Sequence, residues 1–211
     1  MALENNTRPK QARSRETEGR IIGAAIALLR EGGLEACNIP AVAETAGCAV
    51  GTIYRRFEDK DALLRRVCEV LVTDLQVSKI VPLHPTREDG VEFVVRTMVH
   101  NFIRGLRAEP RLYVALYRFA RDHRDAAFRK AFVAGADAGR EKLIATLAAC
   151  PELANRPDGF DRARLAVLSC TATLQAIILI PAAMDEPSVF DDRVLTAMLS
   201  EMFIGFLRDR E

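Results

Sequence analysis

Apolar residues recur at intervals of three and four along the chain, and no stretch sustains the alternation of two that marks a half-buried strand. The periodicity predicts an all-α architecture of helices joined by short loops. A first helix is expected over about 17–30, with Ile21, Ala25, Leu28 and Leu29 on one face and Gly32-Gly33 as its stop. A short helix follows behind Asn38 as its cap, with Pro40 tolerated in the first turn. Gly47 breaks that helix. Another short one is expected at about 49–57, and Asp59 caps a longer one reaching towards Val81. Pro82 and Pro85 then mark the best candidate boundary in the chain.

Five more helices are expected beyond it, at about 87–106, 110–121, 124–149, 161–183 and 189–208. The first of these carries Val91, Val94, Val95, Met98, Phe102 and Leu106 on one stripe. The fourth includes a run from Leu165 to Met184 without a charge, long enough to span a bilayer. Ser169, Thr171, Thr173, Gln175 and Pro181 interrupt that run, so it reads as a helix buried on two sides. The stretch Ser188 to Asp191 resembles a capping box for the last helix. Within that helix Leu195, Met198, Leu199, Met202, Phe203 and Phe206 form one apolar stripe. Two adjacent helices with more apolar surface than one core requires predict a subunit interface, arranged as a two-fold four-helix bundle.

At 211 residues the chain can hold one large or two modest domains, each with a real core. Thirty Lys and Arg against 29 Asp and Glu leave a net charge of +1, so any basic surface must be local. Five scattered cysteines form neither a zinc-type pair nor a disulfide framework, and the polar N-terminus lacks an apolar signal core. Both features predict a cytoplasmic protein. His84, His100 and His123 lack metal-ligand spacing, and no metal or cofactor is expected. There is also no Gly-x-Ser-x-Gly elbow, HExxH or nucleotide-binding glycine loop, so catalysis is not expected.

One segment carries specific chemistry. Residues 38–57 read NIPAVAETAGCAVGTIYRRF, which is helix, tight turn, helix. Val42 and Ala43 face inward, and Gly47 supplies the left-handed conformation that the turn demands. Ile53 and Phe57 return to the core, leaving Thr52, Tyr54, Arg55 and Arg56 to point outward. A short helix that buries one side and offers hydroxyl and guanidinium groups on the other suits the major groove of DNA. Lys60, with the free amides of its helix's first turn, is placed to grip a phosphate. Asn38, Ala49, Val50, Gly51, Thr52, Tyr54, Arg55, Arg56 and Lys60 are therefore the candidate DNA-binding positions.

This segment resembles the DNA-binding domain of the TetR family of bacterial transcriptional regulators. The matching residues are Val42-Ala43, Ala46-Gly47, Gly51-Thr52-Ile53-Tyr54, Phe57, and Lys60 followed by Ala62-Leu63-Leu64. The resemblance covers the first helix to about residue 75. It implies a homodimer on a pseudo-palindromic operator, usually a repressor, released when a small effector binds a C-terminal helical domain. It further implies that Thr52 and Tyr54 contact phosphate or base edges and that Lys60 contacts phosphate. Ala49 and Val50 depart from the family pattern, in which Ser or Thr and a polar or basic residue are usual at these positions.

The domains expected are a flexible basic arm at 1–15, a helix-turn-helix domain at 16–62, a connecting helix at 63–81, and a helical effector-binding and dimerisation domain at 82–211. Tyr113, Tyr117, Phe128, Phe132, Thr171 and Gln175 offer the aromatic faces and embedded polar groups that could line a site for an apolar or aromatic effector. The expected partners are double-stranded operator DNA, a second copy of the chain and a small-molecule effector, with no membrane. Alternative readings are a dimeric protein-interaction module or a small-molecule carrier whose DNA-binding head no longer functions.

Overall fold

The structure, a computed structural model, describes residues 8–77, 90–184, 186 and 190–209. Among them every regular element is helical. The N-terminal head comprises α1 (Arg8–Ala36), α2 (Ile39–Thr45), α3 (Val50–Tyr54) and α4 (Lys60–Val77). The body comprises α5 (Val91–Ala108), α6 (Pro110–Asp122), α7 (Ala126–Ala148), α8 (Pro151–Ala154), α9 (Gly159–Leu174), a π-helical turn (Gln175–Leu179), α10 (Ile180–Ala183) and α11 (Asp192–Arg208). The expected boundary at Pro82 and Pro85, His84 and the predicted capping residue Ser188 all lie outside the described residues.

Several local expectations change in the structure. Residues 8–15, expected as a flexible arm, form the opening turns of α1, which continues past Arg30 through a kink at Gly32 and Gly33. The third helix is shorter than 49–57, because Arg55 already closes it. Asp191 caps α11, its carboxylate accepting from the amides of Arg193 at 2.8 Å and Val194 at 3.4 Å. The long apolar helix is not uniform. Pro181 has no N–H to donate, and the turn before it widens so that the Ile180 amide reaches the Gln175 carbonyl.

Two apolar cores form. In the head, Ile21, Ala25 and Leu29 of α1 meet Val42, Ile53, Leu63 and Val67, but the same core also takes in Leu112, Ala115 and Leu116 of α6. The body's core runs from Val91 to Leu207 and joins α5, α7, α8, α9, the π turn and α11. The division at residue 82 therefore does not describe the packing, since α6 belongs by burial to both halves. Helices α5 and α11 lie antiparallel, pinned at one end by Arg107 on Asp192 at 2.9 Å and at the other by Arg208 on Glu92 at 3.3 Å.

Candidate nucleic-acid interface and effector region

Recognition begins with a turn that only a few residues can make. Asn38 caps α2 by accepting from the Ala41 amide at 3.0 Å, which spends its carboxamide oxygen on the fold. At the other end, Gly47 sits at φ +62, and the Cys48 amide reaches back to the Ala43 carbonyl at 2.9 Å. Cys48 is half-buried against the head core. The chain then enters α3 through Ala49, which is extended and supplies no side-chain cap.

On α3, Ile53 is fully buried while Val50 and Tyr54 are 40% and 53% exposed. Gly51 is also exposed, and a Cβ built there would meet no atom of the chain within 4 Å. Its φ is ordinary, so neither backbone conformation nor internal packing requires a glycine there. The missing side chain leaves the outer surface of α3 open to close approach from outside the chain. Thr52 is half-buried, and its hydroxyl accepts from the exposed Arg55 guanidinium at 2.9 Å.

Two predicted contacts turn out differently. Arg56 does not share the outer face: the helix has stopped, and the side chain turns inward, donating to the Thr52 carbonyl at 3.4 Å with its Nε buried and unpartnered. It lines a cleft of about 600 Å³ beside Glu18, Arg65 and Arg66, where the head meets α7. Lys60 is half-buried, and its ammonium donates at 3.0 Å to the carbonyl of Leu34, in the kinked end of α1. The first-turn amide of Ala62 is likewise taken, by Asp59 at 2.7 Å. Lys60 thus ties α4 to α1, and the Ala62 amide is part of the cap of α4.

The six predicted effector residues separate into groups. Gln175, which opens the π turn, donates from Nε2 to the Tyr117 hydroxyl at 2.9 Å. Tyr117 in turn meets the Phe132 ring edge-on, at 6.1 Å between centroids. These three form one cluster between α6, α7 and the π turn. Burial holds the Tyr117 phenol above its ordinary pKa, opposed by Arg140 and by the Gln175 hydrogen bond. Tyr113, half-buried against the body core, is pushed up to about 12 by desolvation and by Glu109. The Thr171 hydroxyl is spent on the Val167 carbonyl of its own helix. Phe128 packs instead on the head core with Phe119 and Phe132, and it lines the head–body cleft.

Residues that sequence reasoning passed over sit at the joint between head and body. His123, read as a loop histidine, has a side chain only 6% exposed and lies 2.9 Å by Nε2 from Asp61 of α4. Asp125 caps α7, and its carboxyl is held below the usual range chiefly by the amides of Phe128 and Ala127, with Arg65 adding to the effect. The cap was legible as an acid before an apolar run, but the burial of His123 required the tertiary contact. Among the described residues no group of three His, Cys, Asp or Glu side chains could hold a metal ion.

Residues 21–67, from the middle of α1 into α4, match the family described as bacterial regulatory proteins, tetR family. Fifty residues are 50% identical to the HTH-type transcriptional repressor KstR of Mycolicibacterium smegmatis, a match covering 24% of each chain. Residues 21–67 thus match the DNA-binding domain of the TetR family. The match thus spans about a quarter of the curated relative's own length. The TetR-like fold extends through the rest of the chain. The transcriptional regulator FadR from Bacillus subtilis, solved with stearoyl-CoA, superposes at a TM-score of 0.63 with 16% identity, covering 89% of this chain and 97% of its own. A putative transcriptional regulator from Pseudomonas aeruginosa superposes at 0.66 with 18% identity, covering 98% and 92%.

The apolar stripe on the last helix splits in two. Leu195, Leu199 and Phe203 are buried in the chain's own core and cannot meet a second copy. Val194, Met198, Met202 and Phe206 are exposed, with Met198 at 60%. Phe160, Leu165 and Leu168 of α9, a helix that packs on α11, are exposed as well, and Arg162 stands over the Phe206 ring at 5.4 Å. The segment Gly159–Ala183 is long and apolar enough to cross a membrane by length and composition alone. Its other faces pack on α5, α7 and α11.

Proposed function

We propose that this chain is a homodimeric, ligand-responsive transcriptional regulator that reads DNA through α3 and represses until an apolar effector releases it. The observation that carries the reading is the outer face of α3, where Val50, Gly51 and Tyr54 stand exposed over a fully buried Ile53. A glycine with no internal reason to be one suits a helix that presses against a sugar-phosphate wall or a base edge. Exposed Val50 offers a methyl surface to thymine, while Thr52, Tyr54 and Arg55 offer polar contacts.

Dimerisation follows from the exposed apolar rows of α9 and α11, which meet themselves across a two-fold axis in a four-helix bundle. That symmetry presents two recognition helices to half-sites about one duplex turn, roughly 34–36 Å, or a multiple apart. The protein acts where its operator is, in the cytoplasm. The cluster of Tyr117, Phe132 and Gln175 supplies flat apolar faces and an orienting amide for the effector. The stearoyl-CoA held by Bacillus subtilis FadR illustrates one ligand with a long apolar part.

Fluorescence anisotropy on the DNA flanking the gene, against scrambled DNA across a salt series, tests this reading. Sequence-dependent binding that weakens steeply with salt is expected. Equal binding to both DNAs, with genome-wide selection enriching no fragment, would overturn it.

A further inference from the structure

We propose that His123 is a positioning residue that latches the DNA-binding head to the body, and that its ring joins Asp61 of α4 to the aromatic cluster ending at Gln175. The inference rests on the ligand-responsive reading above and names the contacts that carry its regulation.

The latch begins as a closed polar ring. His123 Nδ1 accepts from the Asp125 amide at 3.0 Å, so in the neutral imidazole the proton belongs on Nε2. Nε2–H then donates to Asp61 Oδ2 at 2.9 Å. The same Asp61 oxygen holds Arg65 Nε at 3.3 Å, and Arg65 Nη1 returns to the Asp125 carboxylate at 3.5 Å. Both imidazole nitrogens are therefore occupied, one by the head and the other by the corner between α6 and α7. The opposite tautomer would set an N–H against the Asp125 N–H and leave Asp61 facing a bare lone pair. The corner is itself fixed, because Arg129 donates to the carbonyls of His123 and Arg124 and Asp125 caps α7.

From the imidazole, contacts run without a gap into the body. Its centroid lies 4.5 Å from that of Phe128 and 5.1 Å from that of Phe119. Phe128 meets Phe132 at 6.3 Å, Phe132 meets Tyr117 at 6.1 Å, and the Tyr117 hydroxyl accepts from Gln175. Gln175 opens the π turn, where one widened turn already departs from the α-helical ladder. Rings in close contact resist small displacements, so a ligand that moves Gln175 or Tyr117 shifts the pile as a unit and strains the hydrogen bond to Asp61. Asp61 lies in the first turn of α4, next to Lys60, which clamps α1.

Two measurements on the full-length protein test the latch without DNA. Long-range ¹H–¹⁵N NMR, at a pH above the usual histidine range, is expected to show His123 as the Nε2–H tautomer; an Nδ1–H ring overturns the proposal. Hydrogen exchange in the first two turns of α4 is expected to quicken about tenfold in His123→Phe, which keeps a ring but loses both hydrogen bonds. Phe132→Leu, which breaks the pile midway, is expected to quicken it about threefold, and the double variant to match His123→Phe alone. Unchanged α4 exchange in His123→Phe, or single effects that simply multiply, overturns the latch. If His123→Phe fails to fold, Asp61→Asn keeps an acceptor but loses the charge, and it must still quicken α4 exchange. Because neither readout involves DNA, operator binding with an Nδ1–H ring defeats the latch alone. A confirmed latch without operator binding defeats the regulatory reading alone.

Discussion

The two cores of this protein differ in how far each can close by itself. Every buried residue of the body's core lies between Val91 and Leu207, so that core closes without residues of the head. The head is not self-sufficient, because Leu112, Ala115 and Leu116 of α6 complete the core around α1 and α4. A recognition helix carried on such a head cannot hold its angle independently of α6. Whatever shifts α6 shifts the core on which α3 rests, so the ligand response proposed above has a route through the burial pattern.

Alkaline pH offers the broadest test of that comparison. Burial pushes the thiols of Cys68, in the head core, and Cys170, in the body core, up to about 12, as it does the Tyr113 phenol. Folding favours the neutral form of each, so their contribution is complete below the unfolded values. It is lost as pH rises through the window up to about 12. Each group costs about 1.4 kcal/mol of stability per pH unit inside that window. Denaturant titrations between neutral and strongly alkaline pH should show the loss, and Cys68→Ala and Cys170→Ala should each flatten it similarly.

Leu116→Ala should cost about 2–5 kcal/mol. Its amide-exchange signature should appear in α1 and α4 as well as in α6, and protection lost in the body alone would break the comparison. On the exposed face, Met202→Glu should weaken the dimer by at least about 100-fold, on the order of 3 kcal/mol, because two copies of the charge meet near the axis. Sedimentation should show a folded monomer, and a dimer that persists would refute the α9–α11 interface. Tyr54→Ala should reduce operator affinity about tenfold, near 1.4 kcal/mol, with stability unchanged. Gly51→Ala should leave the fold within about 1 kcal/mol of the parent, or slightly stabilised, yet still weaken DNA binding. Loss of stability with binding intact would show that Gly51 serves the fold instead.

The head was readable because its signals are local. Asn38 as cap, Gly47 at positive φ and Ile53 on the inner face each follow from a few neighbouring residues, and all three stand in the structure. The surroundings of Arg56 and Lys60 are legible only where locality ends: Arg56 lies just past the last turn of α3, and Lys60 meets a carbonyl twenty-six residues away. The stripe on α11 shows the same limit. Periodicity grouped Leu195, Leu199 and Phe203 with Met198, Met202 and Phe206, but a helix packed on α5 and α9 buries one half of a wide apolar face and leaves the other half out.

Helical periodicity, turn chemistry and the α3 motif were written in residue order, because each depends on backbone geometry within a turn or two. They were enough for the all-α fold, for the helix-turn-helix and for the resemblance that residues 21–67 carry. The sharing of α6 between two cores, the split of the α11 stripe and the burial of His123 against Asp61 came only with the tertiary structure. Each depends on which helix lies across another, and residues far apart in the chain settle that choice jointly through the surface they bury.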